Sequence, residues 1–109
     1  MIKVYGLKNC DTCRKAVKAF EAKGMAVELV DIRANPLGSD QIEAFKAAFG
    51  ESLLNTRSTT WRGLSEEERA GDMIELLSTH PALMKRPVVE GNGRLTLGWT
   101  KAVQAEWLE

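Results

Sequence analysis

Two cysteines, Cys10 and Cys13, are the residues of this chain whose type and spacing best fit covalent chemistry. They enclose the segment Cys10-Asp11-Thr12-Cys13, which follows a polar loop and opens a stretch with helical periodicity. Unpaired backbone N–H groups and the positive end of the dipole at a helix N-terminus favour a thiolate, whose pKa then falls below the ~8.5 of free cysteine. The pattern predicts that Cys10 is an exposed nucleophile. Cys13, one turn later and deeper, is placed to resolve a mixed disulfide.

Two other uses of the cysteines are disfavoured by the rest of the chain. A zinc site needs about four ligands, and beyond the two cysteines the chain offers one histidine, His80, so no metal is expected. A role for both cysteines as small core residues conflicts with the polar residues around Cys10, which are Lys8, Asn9, Asp11 and Thr12. Redox or nucleophilic chemistry is therefore the favoured interpretation.

A strand, a helix and a second strand are predicted to hold the cysteines. Residues 2–5 alternate as a short strand does, and residues 27–32 form a second apolar run. Between them, helical spacing extends from Asp11 to a stop at Gly24. The apolar positions of this helix are Cys13, Ala16, Val17 and Phe20. Two strands joined in this way pair in parallel through a right-handed crossover, so residues 1–32 are predicted to be a βαβ unit.

The segment 37–86 is predicted to be a mostly helical insertion. Ser39 or Asp40 is suited to cap its first helix, which ends at Gly50, and Ser65 with Glu68 fits a capping box. Residues 53–62 show no regular spacing of apolar residues that would indicate a helix or a strand. The remaining helical signals are the stripe Met73, Leu76 and Leu77 running toward His80, and a short turn opened by Pro81.

The segment 87–109 is predicted to be a ββα unit. Residues 87–90 and 94–97 form two strands, and Gly91-Asn92-Gly93 suits a hairpin connection between them. Thr100 is suited to cap a last helix whose inward residues are Val103 and Trp107. Strands separated by helices at both ends indicate a small mixed α/β sheet rather than a bundle or a sandwich.

Size and charge restrict the classes of function that remain. A chain of 109 residues is expected to be a single domain, 1–109. Fifteen basic residues balance fifteen acidic ones, so bulk charge recruits neither nucleic acid nor an anionic membrane. The chain shows no basic segment leading into a long apolar run and nothing near the roughly 18 apolar residues of a membrane helix, so we expect a cytoplasmic protein.

Four motifs together resemble the arsenate reductase/Spx family, and specifically its YffB-type branch. The motifs are Cys10-Asp11-Thr12-Cys13, Leu54-Asn55-Thr56-Arg57 with Thr59-Thr60-Trp61-Arg62, Lys85-Arg86-Pro87, and Leu97-Gly98-Trp99. The resemblance covers the whole chain. It implies a thioredoxin-like fold in which the helical insertion separates the βαβ and ββα units, in agreement with the order of the predicted elements.

The resemblance also implies roles for particular residues. Arg57 and Arg86 match two arginines that the family places around the nucleophilic cysteine, where a guanidinium stabilises a thiolate or binds a carboxylate with forked donors. Pro87 matches a proline that follows a cis peptide bond beside the cysteine, and this junction is expected to contact an extended peptide or glutathione. We count Asn9 and Thr12, which flank Cys10, among the substrate-binding candidates.

One departure from the family pattern discriminates between activities. Arsenate reductases of the family carry a third arginine after the last strand, where this chain has Gly98. The resemblance to the YffB-type branch thus implies glutathione-dependent reduction of a thiol adduct or disulfide, with glutathione as co-substrate and no bound cofactor. Either Cys13 or glutathione is expected to resolve the intermediate. The alternatives are an arsenate reductase and an Spx-like redox sensor that binds RNA polymerase. Trp99, next to Gly98, is expected to border the site.

Overall fold

Four strands form one mixed sheet in the structure, a computed structural model that describes residues 1–108. Residues 1–35 and the segment from Arg86 onward make up one compact unit, and residues 36–85 make up a second. The elements of the first unit are β1 (Ile2–Gly6), α1 (Asp11–Ala22), β2 (Val27–Asp31), β3 (Val88–Gly91), β4 (Arg94–Leu97) and α6 (Lys101–Leu108). That the chain is a single domain stays a prediction.

The strand order β2-β1-β3-β4 confirms the thioredoxin-like arrangement. β1 pairs in parallel with β2 and antiparallel with β3, which continues into β4 through a hairpin. The two residues between β3 and β4 both have positive φ, 51° at Asn92 and 73° at Gly93. This geometry matches the right-handed twist of the strands and explains the Asn-Gly sequence at the turn.

The core of the first unit lies between one face of the sheet and the helices α1 and α6. Ile2 and Val4 alternate onto this face, where they join Ala16, Phe20 and Trp107 in one buried cluster. The rings of Phe20 and Trp107 pack edge-on with their centroids 5.7 Å apart. Trp107 Nε1–H donates a hydrogen bond to Thr96 Oγ1 at 2.8 Å. The apolar stripe of α1 is thus confirmed as a core face.

The predicted ends of α1 and α6 are confirmed. The chain leaves α1 through Gly24, whose φ of 72° is a conformation that glycine adopts without strain. Thr100 caps α6, because its Oγ1 accepts a hydrogen bond from the Val103 N–H at 3.3 Å. No helix within residues 1–108 is long and apolar enough to span a membrane.

The second unit is a set of short helices tied together by backbone hydrogen bonds. They are α2 (Ser39–Phe49), a 3-10 turn (Gly50–Leu53), α3 (Thr59–Arg62), α4 (Glu66–Arg69), α5 (Met73–Thr79) and a second 3-10 turn (Pro81–Leu83). Asn55 N–H donates to the Leu83 carbonyl and Lys85 N–H to the Leu53 carbonyl, each at 2.7 Å. These bonds join the segment before Arg57 to the end of the unit.

Local capping in the second unit agrees with the sequence at one helix and differs at another. Ser65 and Glu68 form both hydrogen bonds of a capping box at α4, as predicted. The prediction that Ser39 or Asp40 caps α2 is wrong, because the N-cap is Gly38, which has no side chain to form a capping hydrogen bond. Gly38 is extended, with ψ 158°, so the helix starts one residue earlier and Ser39 and Asp40 become part of its first turn, where an acidic side chain suits the dipole.

Candidate active site

Cys10 is the N-cap residue of α1, as the sequence predicted. Its backbone is extended, with φ −95° and ψ 116°, and its carbonyl accepts the Arg14 N–H at 3.0 Å as α1 begins. Its own N–H donates to the Leu7 carbonyl at 3.1 Å, which closes a turn immediately before the helix. The Cys10 side chain makes no capping hydrogen bond to the first turn of α1, and the residue is half-buried. The Cys10 sulfur therefore lies at the N-terminus of α1 and remains partly accessible to solvent.

The surroundings of Cys10 favour its thiolate. Partial burial is the largest single influence on the pKa of Cys10 and acts to raise it. Donation from the backbone N–H and thiol of Cys13 and the charge and hydrogen bonding of Arg86 together outweigh it, so that the pKa lies below the usual thiol value. Because the thiolate is the nucleophilic form of cysteine, a lowered pKa increases the reactive fraction of Cys10 at a given pH.

Cys13 differs from Cys10 in both exposure and ionisation. Its relative exposure is 0%. Burial raises the pKa of Cys13 to about 12, and the hydrogen bond with Cys10 adds to the effect. Cys13 is thus a protonated thiol at neutral pH, able to donate its S–H to the sulfur of Cys10. The two cysteines thus differ: Cys10 is half-buried with a lowered pKa, and Cys13 is buried with a raised one.

A carboxylate at the end of β2 anchors the loop that leads to Cys10. Asp31 Oδ2 accepts the backbone N–H of Lys8 at 3.1 Å, while Oδ1 accepts the N–H groups of Arg33 at 2.8 Å and Ala34 at 3.2 Å. The N–H groups of Arg33, Ala34 and Lys8, in that order, lower the pKa of Asp31. An ionised Asp31 therefore ties the loop before Cys10 to the neighbouring strand.

The predicted site residues divide between the two units. Arg86 influences Cys10 directly, and Pro87 beside it is buried and follows a cis peptide bond, as the resemblance implied. Asn9 and Thr12 are exposed neighbours of Cys10 in sequence. Arg57 belongs to the second unit, where its N–H donates to Asn55 Oδ1 at 3.2 Å.

Trp99 packs against the core of the first unit, and that it borders the site stays a prediction. Its ring packs against that of Phe20, with centroids 5.4 Å apart. Phe20 lies ten residues beyond Cys10 on α1, which corresponds to about 15 Å of helix at ~1.5 Å per residue. Trp99 therefore covers the core near the far end of α1, since burial of its ring stabilises the packing there.

Two residues of the site were not recognised from the sequence. Gly6 lies against Cys13, and Asp31 holds the loop before Cys10. An acidic residue at a strand end followed by a polar turn is a signal for the Asp31 turn, because Asp often bonds backbone N–H groups two residues on. The link from Asp31 to Lys8 spans 23 residues and has no local signal. Within residues 1–108, no three His, Cys, Asp or Glu side chains gather as a metal site would require.

Comparison with known proteins agrees with this geometry. The profile of the ArsC family matches residues 5–106. The chain belongs to the ArsC family. The solved structure of a YffB protein aligns over 100% of both chains, with 31% identity and a TM-score of 0.90. The solution structure of an ArsC-related protein from Brucella melitensis covers 99% of this chain and 94% of its own, with 33% identity and a TM-score of 0.74.

Relatives of this ArsC-family chain also include a regulator. The global transcriptional regulator Spx of Streptococcus agalactiae is 28% identical over 107 residues, which span 93% of this chain and 78% of the regulator. The relatives reported therefore include an ArsC-related protein and a transcriptional regulator.

Proposed function

We propose that this protein is a cytoplasmic thiol–disulfide reductase that uses glutathione, with the Cys10 thiolate as nucleophile. The observation that carries the proposal is the position of Cys10 at the N-terminus of α1 with the Arg86 cation beside it, a setting that lowers the pKa of the Cys10 thiol. A lowered pKa increases the thiolate fraction, and the thiolate is the form that attacks disulfides. The family membership supports thiol chemistry, and the choice of glutathione is part of the proposal.

The proposed cycle balances as two thiol–disulfide exchanges. The Cys10 thiolate attacks the glutathione sulfur of a mixed disulfide, the S–S bond breaks, and the substrate leaves as a thiolate that takes a proton from water. A second glutathione, as its thiolate, attacks the glutathione sulfur now bonded to Cys10 and releases oxidised glutathione. In sum, one reduced glutathione is consumed: its sulfur joins the glutathione sulfur taken from the substrate in oxidised glutathione, the substrate is released as a thiol, and Cys10 returns as a thiolate.

Cys13 offers a second route by which the mixed disulfide on Cys10 could be resolved. Its thiolate would attack the Cys10 sulfur, expel glutathione and leave a Cys10–Cys13 disulfide, which two further glutathione thiols would have to reduce. The burial that raises the pKa of Cys13 to about 12 keeps the attacking thiolate scarce. We therefore propose that glutathione, rather than Cys13, resolves most of the intermediate.

The remaining site residues are proposed to bind the substrate. Arg86 suits a carboxylate of glutathione, because a guanidinium presents forked donors and keeps its charge at all relevant pH values. Arg57, Asn9, Thr12 and the backbone at Pro87 are proposed as further contacts on the basis of the family resemblance. Pro87 itself is buried, and its carbonyl accepts the Gly98 N–H at 2.8 Å.

The proposal is tested by the ionisation and turnover of Cys10. Alkylation of the native protein across pH 4 to 10, read by mass spectrometry at each cysteine, should give a Cys10 pKa below ~8.5. Glutathione-coupled reduction of a glutathionylated peptide should be lost in Cys10→Ser. A pKa at or above the free value, or turnover that survives in Cys10→Ser, would overturn the proposed mechanism.

The Spx relative motivates one alternative, a redox-sensing regulator that contacts RNA polymerase. A pull-down with the polymerase α subunit separates the two: specific binding by a protein that turns over no glutathione mixed disulfide favours the regulator. Arsenate reduction is less favoured because Gly98, at the place of the third arginine, has φ 84°, where a side chain is strained. A glutathione-coupled arsenate assay tests it directly.

A further inference from the structure

Gly6 ends β1 on the face of the sheet that α1 covers. Side chains alternate along a strand, so position 6 faces the same way as Ile2 and Val4, which lie in the core. On α1, Cys13 shares a face with the buried Ala16 and Phe20. A Cβ placed on Gly6 would overlap the Cys13 Sγ and lie 3.1 Å from the Cys13 Cβ. The sulfur of Cys13 thus occupies the space that any other residue at position 6 would fill.

The backbone conformation gives no competing reason for glycine at this position. The glycines with positive φ are Gly24, Gly50, Gly93 and Gly98. Gly6 is absent from that set and lies in regular strand pairing, where its register partner is Asp31 and its carbonyl accepts the Ile32 N–H at 2.9 Å. An alanine could adopt this backbone, so the requirement for glycine comes from the contact with Cys13.

We propose that Gly6 is a positioning residue for the cysteine pair: the missing side chain at position 6 lets the Cys13 sulfur lie against β1 and donate its hydrogen bond to Cys10. The proposal rests on the proposed function, because it concerns the reactivity of the same nucleophile. It extends that function by making a residue of strand β1, in contact with Cys13, a determinant of how the nucleophile behaves.

Neither partner of this contact has an easy way to move. Cys13 is fully buried, and a helical side chain has two favourable χ1 rotamers, so its sulfur has few alternative positions. β1 is held between two neighbouring strands, with β2 on one side and β3 on the other. Because the backbone of β1 is held by strand pairing on both sides, a side chain at position 6 must displace the Cys13 sulfur.

The test is a double-mutant cycle with Gly6→Ala, Cys13→Ala and the double variant. The matched control is Gly38→Ala, since Gly38 has φ −71° and nothing within 4 Å of the place of its Cβ. The readout is the pKa of Cys10, from its alkylation rate against pH. At pH 6, a rise of one unit in the Cys10 pKa decreases the thiolate fraction about tenfold. A more basic thiolate is a better nucleophile, which offsets part of this loss, so the alkylation rate should fall about threefold.

The expected result is strong coupling between the two positions. Gly6→Ala should raise the pKa of Cys10 about as much as Cys13→Ala does, and should add nothing further in the Cys13→Ala background, while Gly38→Ala leaves the pKa unchanged. An unchanged Cys10 pKa in Gly6→Ala, or additive effects of the two substitutions, would contradict the proposal.

Stability provides a second readout for the case in which Gly6→Ala does not fold. Removing the sulfur creates room for the alanine, so Cys13→Ala should rescue folding or reduce the loss in the urea midpoint. An equal loss in both backgrounds would overturn the proposed contact. Because thiol pKa and unfolding do not depend on glutathione turnover, a failed reductase assay would count against the proposed function and leave the role of Gly6 to be judged separately.

Discussion

The Asp31 carboxylate and the Lys8 backbone N–H form a hydrogen bond of 3.1 Å between residues 23 positions apart. Lys8 precedes the nucleophile by two residues, and Asp31 is the last residue of β2. Since Gly6 and Asp31 are register partners in the parallel pair, the strand ends bring the loop and the carboxylate together. The loop that presents Cys10 is therefore tied to the sheet by one side chain.

Asp31→Asn is predicted to loosen this loop while keeping the local turn. The amide retains one oxygen for the N–H groups of Arg33 and Ala34, but its NH₂ group cannot accept from Lys8. Amide hydrogen exchange at Lys8 should become several-fold faster, with Arg33 and Ala34 little changed. Glu28→Ala, an exposed change on the same strand, is the control. Equal acceleration at all three amides would contradict the separate roles of the two carboxylate oxygens.

Arg86→Gln is predicted to raise the pKa of Cys10. The substitution removes a positive charge and a hydrogen-bond donor that both lower this pKa. The pKa of Cys10 should rise, and alkylation at pH 6 should slow because less thiolate is present. Arg86→Lys should recover part of the effect through charge alone, and Lys85→Gln, next to it and exposed, should have none. The measurement is the pH profile of Cys10 alkylation, and identical profiles for Arg86→Gln and Lys85→Gln would exclude the role of Arg86.

Oxidised glutathione is predicted to modify Cys10 alone. Cys10 is accessible and favours its thiolate, whereas Cys13 is buried with a raised pKa. Intact-mass and peptide mass spectrometry at pH 7 should show a single glutathione adduct, on Cys10, in both the wild type and Cys13→Ala. An adduct that accumulates only in Cys13→Ala would show instead that Cys13 resolves the intermediate rapidly. Cys10→Ser should remain unmodified.

Stability is predicted to fall at alkaline pH because of Cys13. Its folded-state pKa of about 12 exceeds the usual ~8.5 of an unfolded thiol. The unfolded chain therefore loses its proton first, and the contribution of Cys13 is fully present below pH ~8.5 and declines as the pH rises toward about 12. The free energy of unfolding in urea should decrease between pH 9 and 10.5 by at most about 1.4 kcal/mol per unit.

Cysteine variants isolate this contribution. Cys13→Ala should remove the alkaline decrease, and Cys10→Ser should keep it. Cys10 has a lowered folded-state pKa, so its own contribution is present above ~8.5 and is lost only as the pH falls through the lowered value. An alkaline slope that is the same in wild type and Cys13→Ala would show that another group controls it.

Features that depend on nearby residues were readable from the sequence. The Cys10–Cys13 spacing at a helix start, the stop at Gly24 and the capping box at Ser65 each follow from local periodicity or from one hydrogen bond across three or four residues. The order of strands and helices then restricted the fold, because parallel strands require a crossover. The N-cap of α2 was misassigned, since Gly38 carries no side chain that signals a cap.

By itself, the sequence predicted the nucleophile, its helix and the order of elements around them, because each depends on a few neighbouring positions, and the family resemblance pointed to Arg86. The tertiary structure alone decided which other distant groups lie at the cysteine site: Gly6 against Cys13 and Asp31 on the preceding loop. The physical reason is that charge, burial and steric contact act through space. Strand pairing brings together residues that no short-range pattern connects.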